Sequence, residues 1–409
     1  VLMIFLPVIF FQEKTAEQLL AQSNLRLALL YTTGGVIAAL GLLETYRKNT
    51  NDRAKANADI KAALKNQEHQ AEVLKEQIRQ FDENAFKERK AERRERYTKA
   101  VEQLGDEKAP IRMGGVYTLV GLVDEWLEEK NLEYSEQLKE GQVIINNLCA
   151  YIRSPFTLAS YYDELSEDNP SSDGIYKDNQ QKFYTDKADF KAEADVRLSI
   201  IKEIHDRLQS PDKNTPGAWS DFEYDFSGST FFYPVDLTNS YYIKPVNFSG
   251  STYQGGANFS GSTYKDVADF GGSTYQWADF SGSTYKDVAD FTGSTYQGWT
   301  DFSRSTYQWA DFTGSTYQWA DFSGSTYKSW AYFTGSTYKD VADFSDSTYK
   351  SWAYFSNSTY ENETNFSGSI FYQETYFGED GYSNSSSCFT NHAPQFYDKK
   401  KRKNTLFGS

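Results

Sequence analysis

Cysteine and histidine are nearly absent from this 409-residue chain, which holds two of the first and three of the second. Cys149 and Cys388 cannot build a disulfide framework or a zinc site of the CxxC type. His69, His205 and His392 are too far apart to supply HExxH or another histidine cluster for a metal. No Ser–His–Asp set, paired catalytic carboxylates or phosphate-cradling loop stands out, and Gly114-Gly115 alone is too little for a nucleotide motif. Net positive charge is missing as well: the formal charge of −15 argues against a DNA-binding body and disfavours nucleic acid as a partner. The chain therefore reads as non-enzymatic, with no cofactor and no metal implied. What it holds in excess is aromatic, 31 Tyr and 29 Phe, against the aliphatic bias of an ordinary mixed core.

Apolar runs are short. Val1 to Phe11 is too short to cross a bilayer and lacks the basic region of a signal peptide, which suggests a truncated first membrane helix or a non-standard start. Leu27 to Leu43 is uncharged over 17 residues, at the short limit for spanning. Gly34, Gly35 and Gly41 suit close helix packing, and Tyr31 and Tyr46 suit the interfaces. Arg47, Lys48, Arg53 and Lys55 follow this run, while only Lys14 and Arg26 precede it. Positive charge thus places everything after residue 45 in the cytoplasm, below a two-helix anchor in a cell membrane.

From Arg47 to about Arg96 the chain has no Gly or Pro and reads as one helix. Ile60, Leu64, Gln67, Ala71, Leu74, Ile78, Phe81 and Ala85 follow the a/d spacing of a coiled coil, so a stalk that forms homo-oligomers is expected. Lys87 to Lys99 mixes Arg and Lys with Glu88, Glu92 and Glu95, a salt-bridged face rather than a nucleic-acid patch. Further helices are expected over Tyr97–Leu104, from Pro110 to about Glu129, over Val143–Ile152 and over Ala194–Leu208. The Asp/Ser/Asn/Tyr-rich stretch at about 158–187 reads as a flexible insertion.

From about Ser220 to Tyr376 the chain repeats itself. Phe or Leu recurs from Phe226 to Phe366 in steps of 11 with a few of 10, and a second aromatic, usually Tyr, follows each by five residues. Every unit is thus two five-residue blocks, as in Ala278-Asp279-Phe280-Ser281-Gly282 followed by Ser283-Thr284-Tyr285. A small residue two positions before each large one shares its side of a strand, and the residue between points out. Ser-Gly or Thr-Gly then supplies the turn. No block can bury its aromatic alone, so the blocks must stack, and the spacing excludes a helical repeat.

These blocks resemble the pentapeptide-repeat family (A-[D/N]-[L/F]-x-x), in its Phe-rich form. The resemblance implies a right-handed, four-sided β-helix with one block per face. Fourteen units would then make about seven coils, roughly 34 Å at strand spacing. Arg96-Tyr97-Thr98-Lys99-Ala100-Val101-Glu102-Gln103-Leu104-Gly105 and Arg112-Met113-Gly114-Gly115-Val116-Tyr117 resemble the helical segment of membrane-anchored pentapeptide-repeat proteins of actinobacteria. Tyr in place of Leu or Phe on alternate faces departs from the family pattern, since a buried phenol needs a hydrogen-bond partner. The inward Ser column, or hydroxyls leaning to the corners, would supply it.

The expected architecture is α+β and multi-domain: a membrane anchor (1–44), a helical stalk (45–96), a helical domain (97–216), a pentapeptide-repeat β-solenoid (217–376) and a Ser/Asn-rich tail (377–409) ending in Lys399-Lys400-Lys401-Arg402-Lys403. That polybasic run would be drawn to anionic lipid. Four faces and two-block units require alternate units to superpose. Trp277, Trp299 and Trp319 are thus expected along one corner, and Trp309, Trp330 and Trp352 along the opposite one. Between Ser220 and Tyr376 there are 18 acidic and 7 basic residues, a net of −11. Asp269, Asp279, Asp290, Asp301, Asp311, Asp321 and Asp343 would form outward charged ladders. Ladders and indoles together are the candidate interaction surface, for an unidentified basic protein partner. The bland alternatives are solubility, edge protection and corner sealing. The resemblance implies a rival, a DNA-mimic regulator of a type II topoisomerase. Asn-Phe-Ser at 247, 258 and 365 follows from Asn replacing outward Asp, not from glycosylation.

Overall fold

The computed structural model describes residues 16–45, 53–212, 215–373 and 375–377, and the backbone of three short strands beyond, Cys388–Phe389, Gln395–Asp398 and Lys403–Leu406; side chains are described from 20 to 40 and from 61 to 377 over these stretches. It comprises two compact units, residues 1–91 and 92–409.

In the first unit, helix α1 (Ala16–Thr45) contains the apolar run, and α2 (Arg53–Leu104) begins after it. Among the described residues no helix is long and apolar enough to cross a membrane, so the expected span over Leu27–Leu43 is not found. The polar stretch from Gln22 to Arg26 leads into the run, and Thr32, Thr33, Gly34 and Gly35 dilute its middle. The Thr32 and Thr33 hydroxyls donate to the carbonyls of Ala28 and Leu29 at 2.9 and 2.7 Å. Val1–Phe11 and the basic flank at Arg47–Lys48 lie outside the described residues. Helix α2 is unbroken, as the lack of Gly and Pro predicts, and it ends where Gly105 turns the chain. Leu64 and Phe81 of the expected seam are exposed on it.

The second unit begins with α3 (Ala109–Leu127), which opens with Pro110 in its first turn, and α4 (Tyr134–Arg153). The end of α2 is bound to α3 by salt bridges of Arg93 with Glu125 and Glu129 (3.3 and 2.9 Å) and of Arg96 with Glu125 (2.8 Å), which accounts for the mixed charges there. The stretch expected as a flexible insertion is instead folded. It forms a 3-10 turn (Thr157–Tyr161), α5 (Tyr162–Ser166) and the start of α6 (Gln180–Leu208), which Asn179 caps by accepting from the Lys182 N–H. Tyr176 and Phe183 are its hidden anchors: both are buried and meet edge-to-face at 5.5 Å.

The solenoid stacks on this helical layer. Trp219 donates its indole N–H to Asp124 at 2.8 Å, Arg207 pairs with the same carboxylate, and Phe232 packs on Phe190 at 4.8 Å. Gly141 is required where the ring of Phe222 passes, since a Cβ there would lie 2.6 Å from it.

Two parallel sheets build the solenoid, and each supplies two adjacent faces of the stack, faces four and one in the first and faces two and three in the second. On face one, residue pairing runs Tyr224, Val246, Ala268, Ala289, Ala310, Ala331, Ala353, Thr375, which is seven turns of 21 or 22 residues. Inward aromatics stack in register, Phe on faces one and three and Tyr on faces two and four. Phe291 lies 4.9 Å from Phe312 at 4°, and Tyr296 lies 4.8 Å from Tyr317 at 3°. Phe columns meet edge-to-face across the core, as Phe280 does with Phe291 at 5.1 Å. Glycine occupies turns of positive φ, for example Gly282 at 65°, while Arg304 (56°) and Asp346 (54°) adopt the same conformation without its freedom. Beyond the last coil, Gln395–Asp398 adds parallel to Thr364–Phe366, and Lys403–Leu406 then pairs with it antiparallel.

Candidate functional site

The inward serines form a continuous ladder of their own. From Ser251 to Ser325 each hydroxyl donates to a Phe (once Leu237) carbonyl of the previous coil and accepts an N–H from the serine one coil back, while those of Ser229 and Ser240 in the first coil have no partner. Ser294, for instance, donates to the Phe270 carbonyl at 3.0 Å and accepts from Ser273 N–H at 3.2 Å. The serines are therefore committed, and they do not satisfy the phenols. From Tyr253 to Tyr338 on face two and Tyr242 to Tyr349 on face four, the hydroxyls are buried without a hydrogen-bond partner. The expected rescue by the serine column or by the corners is not what the fold provides. Burial pushes these phenols above their ordinary range, and Tyr242 and Tyr275, for example, also lie near the serine of their own block.

The aspartates fall into two columns on opposite faces. Asp269, Asp290 and Asp311 pair rung to rung on face one, and Asp279, Asp301, Asp321 and Asp343 on face three. They are less free than outward ladders would be. Each accepts at one carboxylate oxygen from the N–H two residues on, such as Ser281 N to Asp279 at 2.8 Å and Ser303 N to Asp301 at 2.7 Å. This ties the carboxylate over its own turn. The same bond is made by Asn247 and Asn258 to Ser249 and Ser260, which is why Asn substitutes for Asp in some blocks. Asp301 is 7% exposed and the others are half-buried. Burial holds the Asp301 carboxyl above the usual range, against the Ser303 hydrogen bonds and with help from Asp321 and Asp279. Burial does the same at Asp269, with Asp290 adding to it and the Gly271 N–H opposing.

The indoles form two ridges. Trp277, Trp299 and Trp319 stack between faces two and three at 5.9 and 5.6 Å. Trp309, Trp330 and Trp352 run between faces four and one, edge-to-face at 5.5 Å and then stacked at 5.9 Å. Two residues not singled out from the sequence join the second ridge. Tyr332 and Tyr354 continue the face-one aspartate column, with Tyr332 paired to Asp311 and stacked on Tyr354 at 5.0 Å. Their signal is the position between the small and large inward residues, Ala331 and Phe333, where other coils carry Asp.

Groups with reactive potential are engaged elsewhere. Cys149 is buried and its thiol is pushed up to about 12 by burial. His205 meets the Thr238 carbonyl at 2.8 Å. Among the described residues no group of three or more His, Cys, Asp and Glu could hold a metal.

No protein-family model matches the chain, and no curated protein matches it. Among solved structures it is similar to HetL, a pentapeptide repeat protein involved in heterocyst differentiation regulation from the cyanobacterium Nostoc sp. strain PCC 7120. The identity is 11%, over 42% of this chain and 88% of that one, with a TM-score of 0.16. A likeness of that size carries no argument; the pentapeptide-repeat architecture rests on the block period and the pairing register.

Proposed function

We propose that the chain is a non-enzymatic scaffold whose acidic solenoid docks a basic protein on the cytoplasmic side of a membrane. The observation that supports this reading is the pair of in-register carboxylate columns on opposite faces, within a region of net charge −11. Exposed Leu30, Val36, Ile37 and Leu40 on α1 support attachment of the N-terminal unit to lipid, and the exposed seam of α2 supports self-association. The test is affinity capture from native membranes with the full chain and with Asp279→Asn/Asp301→Asn/Asp321→Asn/Asp343→Asn. Asn keeps the turn bond, so the variant folds while losing the charge. A basic partner recovered by the wild type and lost by the variant is the expected result, and equal recovery overturns the reading.

One observation favours a second reading. Over the coils of Asp269, Asp290 and Asp311, with one carboxylate per face per coil at ~4.8 Å spacing, the two columns place a charge about every 2.4 Å, against about 1.7 Å in duplex DNA. The DNA-mimic alternative predicts that the full chain alters supercoiling by a type II topoisomerase; no effect dismisses it.

A further inference from the structure

The two tryptophan ridges are not equivalent, and the difference points to a ligand. Along Trp277, Trp299 and Trp319 every coil keeps its adjacent carboxylate, at Asp279, Asp301 and Asp321. Along the other ridge the adjacent column changes from Asp to Tyr at Tyr332 and Tyr354. The change comes with a repeated motif, Lys-Ser-Trp-Ala-Tyr, at 328–332 and 350–354. Residues 322–338 and 347–360 contain no acidic residue, although the solenoid as a whole is strongly acidic. Asp340, Asp343, Asp346, Glu361 and Glu363 of the same coils belong to faces two and three and their turns. In the two coils that carry Trp330 and Trp352, therefore, the solenoid is electrically two-sided; the sequence of the next coil brings back an acidic residue, Glu374.

The geometry points to this ridge as a contact edge for an anionic lipid surface. Trp309, Trp330 and Trp352 are 37%, 38% and 40% exposed, and Lys328 and Lys350 are exposed beside them. Tyr372, in register with Lys350 one coil on, is 64% exposed. Tryptophan and tyrosine settle at the headgroup level of a bilayer, and lysine reaches lipid phosphate from an apolar base. A convex edge between two faces meets a flat surface, where a pocket-seeking ligand would need a groove. Stacking also turns the flat faces of Trp330 and Trp352 toward each other, at 4°, leaving their edges outward; this disfavours sugar rings, which bind to open aromatic faces. A carboxylate against anionic lipid would repel, and its replacement at Tyr332 and Tyr354 removes that repulsion where the lysines stand. The inference does not depend on which protein the aspartate columns dock.

The test is co-flotation of the full chain with vesicles of equimolar phosphatidylserine and phosphatidylcholine, and of phosphatidylcholine alone. Tyr332→Asp/Tyr354→Asp restores the residue that the three preceding coils carry at this position, so the fold is preserved. It is expected to weaken partitioning to the anionic vesicles by about tenfold or more. Trp330→Ala/Trp352→Ala is expected to weaken it as well, while Trp277→Ala/Trp299→Ala on the opposite ridge leaves it unchanged. Circular dichroism confirms folding of each variant. Absence of binding to the anionic vesicles, equal loss from the two ridges, or binding that no ridge variant alters would each overturn the assignment. Partner capture through the aspartate columns is a separate readout, and neither result decides the other.

Discussion

Replacing Tyr296 by Phe isolates the least expected feature of the core. The side chain is 1% exposed, stacks on Tyr275 at 5.0 Å and on Tyr317 at 4.8 Å, and its hydroxyl has no hydrogen-bond partner. Ser294 approaches the phenol, but its hydroxyl proton goes to the Phe270 carbonyl, it accepts from the Ser273 N–H, and it makes no hydrogen bond with the phenol. Phe keeps the ring, both stacks and the edge contact with Phe302 at 5.6 Å. Only the unmet polar group is lost, and such a group costs ~1–3 kcal/mol when buried. Tyr296→Phe should therefore stabilise the protein by ~1–3 kcal/mol. Tyr224→Phe is the internal control of opposite sign: that phenol is buried too, but it donates to the Trp219 carbonyl at 3.0 Å, so its loss should destabilise by ~1 kcal/mol or more. Urea unfolding of the full chain, followed by tryptophan fluorescence, measures both. Stacked repeats need not unfold in one step, so the midpoint and slope of the solenoid transition are compared rather than one global value. A fall in midpoint for Tyr296→Phe would refute the reasoning, because it would mean that the phenol is satisfied.

Three further outcomes are expected. Ser283→Ala should destabilise by ~1–3 kcal/mol in the same titration, because it strips the Phe259 carbonyl and the Ser262 N–H of their buried partner; no change would mean that the serine ladder is dispensable. Arg304→Gly should stabilise by ~1 kcal/mol, since Arg304 holds a φ of 56° where equivalent turns use glycine; a loss in midpoint would contradict this. The third concerns pH. The folded Asp301 and Asp269 carboxyls are raised above 3.8, so stability from these groups is present below pH 3.8 and is lost as pH rises through the folded values. Asp301→Asn, which keeps the turn bond, should thus raise the melting temperature at neutral pH, with the gain shrinking as pH falls toward 3.8; a gain that is independent of pH would contradict it.

The solenoid was legible because its constraint is periodic. One inward aromatic per five residues admits one stacking register, and that register alone brings Trp299 onto Trp319 and Asp301 onto Asp321. The 158–187 segment was not legible, because its order comes from isolated long-range anchors rather than periodicity. Tyr176 and Phe183 lie inside a composition that otherwise looks unfolded. The apolar run in α1 showed how far a charge-free stretch can mislead when Thr32-Thr33-Gly34-Gly35 interrupts it. Within the candidate site, the sequence located every aspartate but not its bond to the N–H two residues on, which needs the turn geometry. It also passed over Tyr332 and Tyr354. An outward tyrosine reads as unremarkable until the column it interrupts is known to be carboxylate on the coils before it.

The claim that the acidic columns form the recognition surface is tested most directly by site-specific photo-crosslinking in native membranes. A photoreactive residue would replace Ser281 beside Asp279 or Ser323 beside Asp321, with Thr295 and Thr316 on face two as comparison sites. The account predicts crosslinks to a basic protein from the two aspartate-face positions and few from the threonine face. Crosslinks of equal yield from both faces, or none from the aspartate face, would contradict it.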